Sequence, residues 1–286
     1  MSNREINNQN EYKLLDSGNL KKLEKIGPYI LVRPALNAFW EPQLTIKEWE
    51  KADAVFERNS SGGGNWTFNK KLPESWNASY AGFNLLIKPT PFGHIGFFAE
   101  QKNNWEWLNS TINKTGKLSA LNLFAYSGGS SLAMAKAGAD VCHVDAAKGM
   151  VDWARENLKL NPEINDGIRW IVEDVHKFLS KEIKRNNSYP GIVLDPPSFG
   201  RGPKGNIWKI EKDLIPLLEK CRTLMGKNPK FILLSMHSNG YSPNSLSRIL
   251  KTVFKGKTEI EAGEMLIDES TGSKLSAGIF ARLSYV

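Results

Sequence analysis

Residues Leu118–Gly129, LSALNLFAYSGG, constrain the fold of this chain more than any other stretch. The apolar run Leu118, Ala120, Leu121, Leu123 and Phe124 reads as a strand buried on both faces, as in a parallel sheet. It runs into Ala125-Tyr126-Ser127-Gly128-Gly129, and a helix begins with Ser130, Leu132, Ala133, Met134 and Ala135. Strand, glycine turn and helix in succession mark the place where an α/β sheet receives a nucleotide-like ligand. Glycine lets the backbone approach the ligand, and the helix N-terminus presents free N–H groups. Buried strand-to-helix turns also carry glycine for packing, so this turn alone leaves both readings open.

Downstream, strands and helices alternate, as in an α/β sheet. The second strand is Val141–Asp145, and a helix follows from Lys148 to Leu160. The third strand is Ile168–Val172, closed by Glu173-Asp174, with a helix over Val175–Lys184. The fourth, Gly191–Leu194, ends in Asp195-Pro196-Pro197, and a helix spans Lys212–Met225. The fifth is Phe231–Ser235, with a helix over Ser245–Phe254. Two extended runs, Glu259–Ile267 and Ser276–Tyr285, pair as an antiparallel hairpin.

Upstream, residues 12–97 read mostly as strand: Tyr29–Arg33 before Pro34, Ala54–Arg58, Trp66–Phe68, and Gly82–Lys88 before Pro89. A short helix over Ile46–Ala52 interrupts them. Ser60–Asn65 reads as a flexible hairpin connection. Trp40, Trp49, Trp66 and Trp76 fit a base-stacking surface, but the favoured reading is the core of a small β domain. Asn104–Ile112 reads as a helix. The expected organisation is a disordered stretch 1–10, a small β-rich domain 11–97, and an α/β domain 98–286.

The chain has 286 residues, enough for a large core in one or two domains. No apolar run reaches membrane-span length, and MSNREINNQN lacks the apolar core of a signal peptide. Two cysteines, Cys142 and Cys221, give neither a disulfide framework nor a metal cluster. The expectation is a cytoplasmic protein without metal or membrane partner. Net charge is +8, and residues 98–286 hold 26 Lys+Arg against 20 Asp+Glu, while residues 1–97 hold 12 against 10. That imbalance favours a polyanionic partner such as RNA, or reflects a generally Lys-rich composition.

The candidate site lies at the strand ends. Asp145 closes the second strand, about 20 residues beyond the first, where a carboxylate accepts both hydroxyls of a ribose. Asp174 closes the third, placed to accept from an adenine amine. Lone acids at strand ends are usually caps; two in register with a glycine turn favour a nucleoside site. The turn is not G-x-G-x-x-G, which separates it from the dinucleotide dehydrogenases. Asp195-Pro196-Pro197-Ser198-Phe199-Gly200 adds an acceptor-rich turn, since proline removes N–H donors and leaves carbonyls facing a substrate amine or base edge. Phe199 offers a face for stacking.

These two stretches, LNLFAYSGGSSLAMAKAGADVCHVDAAKGMVDWARENLKLN and DPPSFGRGPKG, resemble the S-adenosylmethionine-dependent methyltransferase family that includes the large-subunit ribosomal RNA cytosine-carbon-5 methyltransferases. The likeness covers residues 92–286. GHIGFFAEQ resembles the family's segment before the first strand, with Glu100 and Gln101 matching and Lys102 where an Arg is common. The resemblance implies a Rossmann-like class I methyltransferase sheet, mostly parallel with an antiparallel C-terminal hairpin. It also implies an S-adenosylmethionine pocket from Gln101, Phe124, Ala125, Tyr126, Ser127, Gly128, Asp145, Ala146, Asp174, Val175 and Asp195. Asp195, Pro196, Pro197 and Phe199 would hold the acceptor. The implied reaction is in-line attack on the methyl group, with alignment as the main catalytic factor.

Carbon-5 methylation of cytosine needs a Cys nucleophile. The fourth-strand motif has none, and the fifth strand leads into Leu234-Ser235-Met236-His237-Ser238. Cys142 and Cys221 read as core residues, which argues against carbon-5 chemistry. His237 stands at the active edge, as general base, substrate-orienting group or structural residue; His94 and His143 read as structural. Ser198, Arg201, Lys204 and His237 are the candidate substrate contacts. Arg201, Lys204, Lys209 and Lys212 among Gly200, Gly202, Pro203 and Gly205 suggest a mobile basic lid over an anionic substrate, or a solvated loop. The function expected is methylation of an RNA base. A methyltransferase of a protein amine or small molecule, and a non-catalytic RNA-binding relative, are the alternatives.

Overall fold

The computed structural model describes residues 10–59, 63–201, 207–237 and 240–286, and the backbone only at Arg201. The expected disorder at the N-terminus falls on residues 1–9, and part of the Ser60–Asn65 connection falls on residues 60–62; both lie outside the described residues. The chain divides into two compact units, residues 1–100 with 266–277, and residues 101–265 with 278–286. The sequence places the boundary at 97/98 and gives the C-terminal hairpin wholly to the second part; the division differs on both points.

The first unit holds a five-stranded sheet. β1 (Tyr12–Gly18), β2 (Lys21–Ile26) and β3 (Tyr29–Pro34) form an antiparallel meander, with the register shifting between Leu14 and Asp16. A four-residue helix α1 (Ile46–Trp49) precedes β4 (Ala54–Arg58), which pairs parallel to β3 and antiparallel to β5 (Gly64–Phe68). β6 (Trp76–Tyr80) and β7 (Phe83–Ile87) form a separate antiparallel pair. β1, β2 and β6 are strands that the sequence does not announce. Buried Asp16 organises the loop before α1. Its carboxylate accepts from the Leu44 N–H at 2.8 Å, the Gln43 N–H at 3.3 Å and the Trp49 indole at 3.0 Å.

The expectation of four core tryptophans holds for Trp76, which is buried and donates to the Ile26 carbonyl. Trp49 and Trp66 are half-buried. Trp40 is not core: it is 38% exposed beside Phe39, and its indole N–H donates to the Ser17 carbonyl. The tip of the C-terminal hairpin belongs to this unit because its polar groups bond here. The Ser17 hydroxyl donates to Glu269, and the Ser270 N–H donates to the Leu14 carbonyl.

The second unit is a sheet with helices. A 3₁₀ turn leads into α2 (Lys102–Thr115), longer than the expected Asn104–Ile112. Then follow β8 (Ser119–Leu123), α3 (Gly129–Lys136), β9 (Asp140–Asp145), α4 (Lys148–Lys159), β10 (Ile168–Val172), α5 (Val175–Lys184) and β11 (Gly191–Leu194). A short ribbon of β12 (Phe199–Arg201) and β13 (Ile207–Lys209) comes next, then α6 (Ile210–Leu224), β14 (Phe231–Met236), α7 (Pro243–Val253), β15 (Thr258–Asp268) and β16 (Lys274–Tyr285).

The seven sheet strands lie in the order β10-β9-β8-β11-β14-β16-β15. The first five are parallel, and β16 runs antiparallel to β14. This is the Rossmann-like methyltransferase sheet expected from the motifs. Leu121, Leu123, Val144, Ile192, Leu194, Ile232 and Leu234 are fully buried, which is why those strands read as apolar runs rather than alternating ones. α5 starts at Asp174, whose carboxylate accepts from the Lys177 N–H at 3.0 Å.

The basic glycine-containing stretch is described only at its two flanks. Phe199 pairs with Lys209 and Arg201 with Ile207, so both flanks are ordered strands of one antiparallel ribbon. Lys204 lies in 202–206, outside the described residues.

Candidate active site

Parallel strands deliver their C-terminal ends to one edge, and the candidate residues gather on the loops that leave it. The turn after β8 carries unusual backbone. Phe124 has φ +54°, Tyr126 +50° and Gly128 +89°, so every second residue is left-handed. For Phe and Tyr this conformation costs about 1–3 kcal/mol each and is typical of ligand-holding loops. Surrounding bonds enforce it. The Ala125 N–H donates to the Val144 carbonyl at 3.1 Å, and the Gly128 N–H to the Ala125 carbonyl at 3.0 Å. The Asn157 amide donates to the Ser127 carbonyl at 2.9 Å.

Glycine serves two purposes here. A Cβ on Gly128 would sit 2.9 Å from that of Ala154, in a backbone conformation that already excludes side chains. A Cβ on Gly129 would lie 2.4 Å from the Trp105 ring, so that glycine packs α3 against α2 rather than facing a ligand. Ala125, Ser127 and Gly128 are buried, whereas Phe124 and Tyr126 are half-open. A ligand at this turn meets chiefly its backbone and those two rings.

Asp145 ends β9 and locks the turn. One oxygen accepts the Tyr126 N–H at 2.9 Å, the other the Ala147 N–H at 2.8 Å. Burial pushes its carboxyl above the usual range, with the two backbone N–H groups pulling the other way. Each oxygen keeps a second lone pair, so the carboxylate can still accept two hydroxyls. Ala146 is exposed beside it. Asp174 is occupied in part as the α5 cap, and the Val175 side chain lies in the core, leaving its backbone as the part available at this edge.

Asp195, after β11, sits in a polar relay. Its Oδ2 accepts from the Gln101 amide at 3.2 Å, and its Oδ1 lies 3.2 Å from His237 Nδ1. The same Gln101 nitrogen donates to Ser235 Oγ at 3.0 Å. Behind it, the Asn104 amide donates to Gln101 Oε1 at 2.7 Å, and Arg282 holds Asn104 Oδ1 through two nitrogens at 3.0 and 2.8 Å. Gln101 is therefore oriented by a buried chain rather than by solvent. Asn104, Ser235 and Arg282 carry no motif, and the sequence reading missed them.

The proline turn departs from expectation at one carbonyl. Pro197 does not present an empty acceptor: the Trp208 indole donates to its oxygen at 2.5 Å. The Trp208 ring stands 5.3 Å from Phe124 and 5.6 Å from His176, joining the β8 turn to the first turn of α5. Nothing in the Lys-rich sequence around Trp208 marks it as a site residue; the contact comes from the ribbon that folds it back over Pro197. Pro196 is buried, Ser198 exposed, and Phe199 51% exposed, open for stacking.

The remaining histidines and cysteines lie elsewhere. His143 is fully buried on β9, its Nδ1 3.0 Å from Ser131 Oγ, and burial lowers its pKa to about 3. Cys142 and Cys221 are buried, and burial pushes their thiols up to about 11 and about 12. Neither joins the site, as expected. Among the described residues, no group of three or more His, Cys, Asp or Glu could hold a metal, and no helix is long and apolar enough to cross a membrane.

Known proteins match this chain over both units. The crystal structure of an S-adenosylmethionine-dependent methyltransferase from Agrobacterium tumefaciens is 37% identical, with a TM-score of 0.90, covering 96% of this chain and 90% of that one. Ribosomal RNA large subunit methyltransferase K/L of Alteromonas mediterranea is 28% identical over 69% of this chain and 26% of its own. Ribosomal RNA large subunit methyltransferase I of Aeromonas salmonicida is 34% identical over 41% of this chain and 29% of its own. The chain thus spans less than a third of the length of these two curated relatives. The model of an S-adenosylmethionine-dependent methyltransferase family matches residues 56–226. The chain belongs to the S-adenosylmethionine-dependent methyltransferase family.

Proposed function

We propose that this protein transfers the methyl group of S-adenosylmethionine to a base in RNA, with large-subunit ribosomal RNA as the substrate and the cytoplasm as its place of work. The observation that carries the RNA assignment is the match to relatives named as ribosomal RNA large subunit methyltransferases. The site is compatible with it. The left-handed turn at Phe124, Tyr126 and Gly128, held by Asp145, is a cradle for a nucleoside with its ribose on Asp145. Ala146, Asp174 and the Val175 N–H would border the adenine, and Gln101, Ala125 and Ser127 the rest of the ligand. When bound, the sulfonium supplies an already activated methyl group. The chain's own task is then to align the acceptor. Asp195 and the Pro196–Pro197 turn would hold it, exposed Phe199 would stack on it, and Ser198, His237 and the basic Arg201–Lys204 stretch would meet the RNA around it.

The test is incorporation of labelled methyl into deproteinised ribosomal RNA, followed by mass spectrometry of its nucleosides against those of a deletion strain. The expected result is nuclease-sensitive label in one methylated nucleoside that the deletion strain lacks. Label that survives nuclease and is lost to protease would replace RNA with a protein acceptor.

Neither cysteine takes part in this reaction. A Cys142→Ala, Cys221→Ala double variant should keep the methyl-transfer rate within about twofold, and lose about 1–3 kcal/mol of unfolding free energy through the space left in the core. Loss of transfer with S-adenosylhomocysteine binding intact would assign one thiol to the chemistry.

A further inference from the structure

We propose that Arg282 and Asn104 are positioning residues for methyl transfer: together they fix which end of the Gln101 amide faces Asp195. This rests on the reading above that Gln101 and Asp195 border the ligand and the acceptor, and it adds what sets their polarity.

The chain of bonds has one direction. A carboxamide carries an acceptor oxygen at one end and a donor NH₂ at the other, and the two ends are nearly equal in shape. Its neighbours decide which end points where. Arg282 has N–H donors and no acceptor, so the oxygen of Asn104 must face it. Its Nε and Nη2 hold that Oδ1 at 3.0 and 2.8 Å. The Asn104 NH₂ is thereby turned to Gln101 Oε1, at 2.7 Å, and to Met265 Sδ, at 3.3 Å. The Gln101 NH₂ then faces Asp195 Oδ2 at 3.2 Å and Ser235 Oγ at 3.0 Å. A fixed charge on β16 thus dictates that a donor, not an acceptor, meets the carboxylate after β11.

Packing alone does not account for asparagine at this position. Arg282 is 7% exposed, with its guanidinium 4.1 Å from the centre of the Phe280 ring. Burial works against its charge, and Glu261, the carboxylate bonded to it at 3.2 Å, is itself 61% exposed. An aspartate in place of Asn104 would give this guanidinium a buried counter-charge, which suits it better than a neutral amide. Aspartate, however, has no donor for Gln101. Of these two isosteres, only asparagine accepts from Arg282 and donates to Gln101 at the same time. The residue present serves the site rather than Arg282, a choice of activity over stability.

The site edge depends on that order. With Gln101 reversed, its oxygen would confront the Asp195 carboxylate and push it away from the acceptor it is proposed to hold. A shift of about 1 Å in an aligning group slows a reaction by about a hundredfold.

Asn104→Asp separates this role from a structural one. The variant should unfold at the wild-type temperature or above it, because Arg282 gains a partner. It should nonetheless lose about 10- to 100-fold in single-turnover methylation of ribosomal RNA. The orientation itself is read by nuclear magnetic resonance. The chain has three glutamines, Gln9, Gln43 and Gln101, so glutamine-selective isotope labelling gives three side-chain amides, and Gln101→Leu identifies the third. In wild type its NH₂ protons should show nuclear Overhauser contacts to the Ser235 side chain; in Asn104→Asp these should vanish as the amide turns over. A stable variant with wild-type rate overturns the positioning role. Retained Ser235 contacts overturn the orientation argument. A variant less stable than wild type overturns the proposal as well, since asparagine would then be a packing requirement. If wild type transfers no methyl to RNA, the RNA reading falls, and the resonance and stability results decide the Gln101 orientation by themselves.

Discussion

Asp145→Asn should weaken S-adenosylhomocysteine binding by about 2–3 kcal/mol, or roughly 30- to 150-fold. The carboxylate does two things that one amide cannot. It accepts the Tyr126 N–H on one oxygen and the Ala147 N–H on the other, at 2.9 and 2.8 Å. Asparagine has a single acceptor oxygen, so its NH₂ must face one of those donors. The Tyr126 bond matters most, because Tyr126 sits at φ +50° and needs its surroundings to stay there. Loss of the charge also weakens the bond offered to a ribose. Burial raises the Asp145 carboxyl, which sets the sign of the pH effects. Keeping it ionised at neutral pH costs folding stability, and that cost is relieved as pH falls through the raised value. Ligand binding through the ionised oxygens weakens over the same range. Titration calorimetry of wild type and variant at neutral pH checks the assignment; equal affinities in a folded variant would remove Asp145 from the cofactor site.

How much of this was legible in the sequence depended on what held each element. Ile168–Val172, Val175–Lys184 and Gly191–Leu194 appear with the expected bounds. Gly191–Leu194 is buried throughout, the helix buries one face through Val175, Phe178 and Leu179, and the edge strand Ile168–Val172 is rich in β-branched residues, while Gly167, Asp174 and Pro190 punctuate them. β1 and β2 were missed for the opposite reason. YKLLDSG and KKLEKI carry buried charge at Asp16 and Glu24, and the register shift at Leu14/Asp16 breaks the period-two pattern. The site divides in the same way. Acids at strand ends are visible because a strand and its last residue are contiguous. The relay from Arg282 through Asn104 to Gln101 is not, since its bonded partners Arg282 and Asn104 stand 178 residues apart and meet only because β16 returns to the sheet. Left-handed Phe124 and Tyr126 are also invisible beforehand, because neither residue type advertises that conformation.

Glu24 in the first unit supports the largest stability prediction. It is fully buried on β2, and Arg33 on β3 grips both of its oxygens, at 2.7 and 2.8 Å. The Tyr12 hydroxyl donates to it at 2.9 Å, and Lys22 lies 3.2 Å away. Burial alone would push this carboxyl up; the attraction of Arg33 and Lys22, with hydrogen bonds from Arg33 and Tyr12, overrides it and holds the group at about 2. A depressed carboxylate contributes stability that is fully present above its unfolded value, near 4.5, and is lost as pH falls toward 2. Glu24→Ala should cost about 3–5 kcal/mol at pH 7, because it strands the Arg33 guanidinium in a buried site where, among the described residues, the Gly93 carbonyl at 3.0 Å is the hydrogen-bond partner left to it. The difference between wild type and variant should shrink as pH is lowered from 5 to 2.5. A Glu24→Met, Arg33→Met double variant should recover much of the loss, since removing both charges leaves neither stranded. Urea unfolding followed by tryptophan fluorescence across this pH range measures all three proteins. A Glu24→Ala loss below about 1 kcal/mol, or one that does not narrow in acid, would mean that the pair contributes no more than an exposed salt bridge.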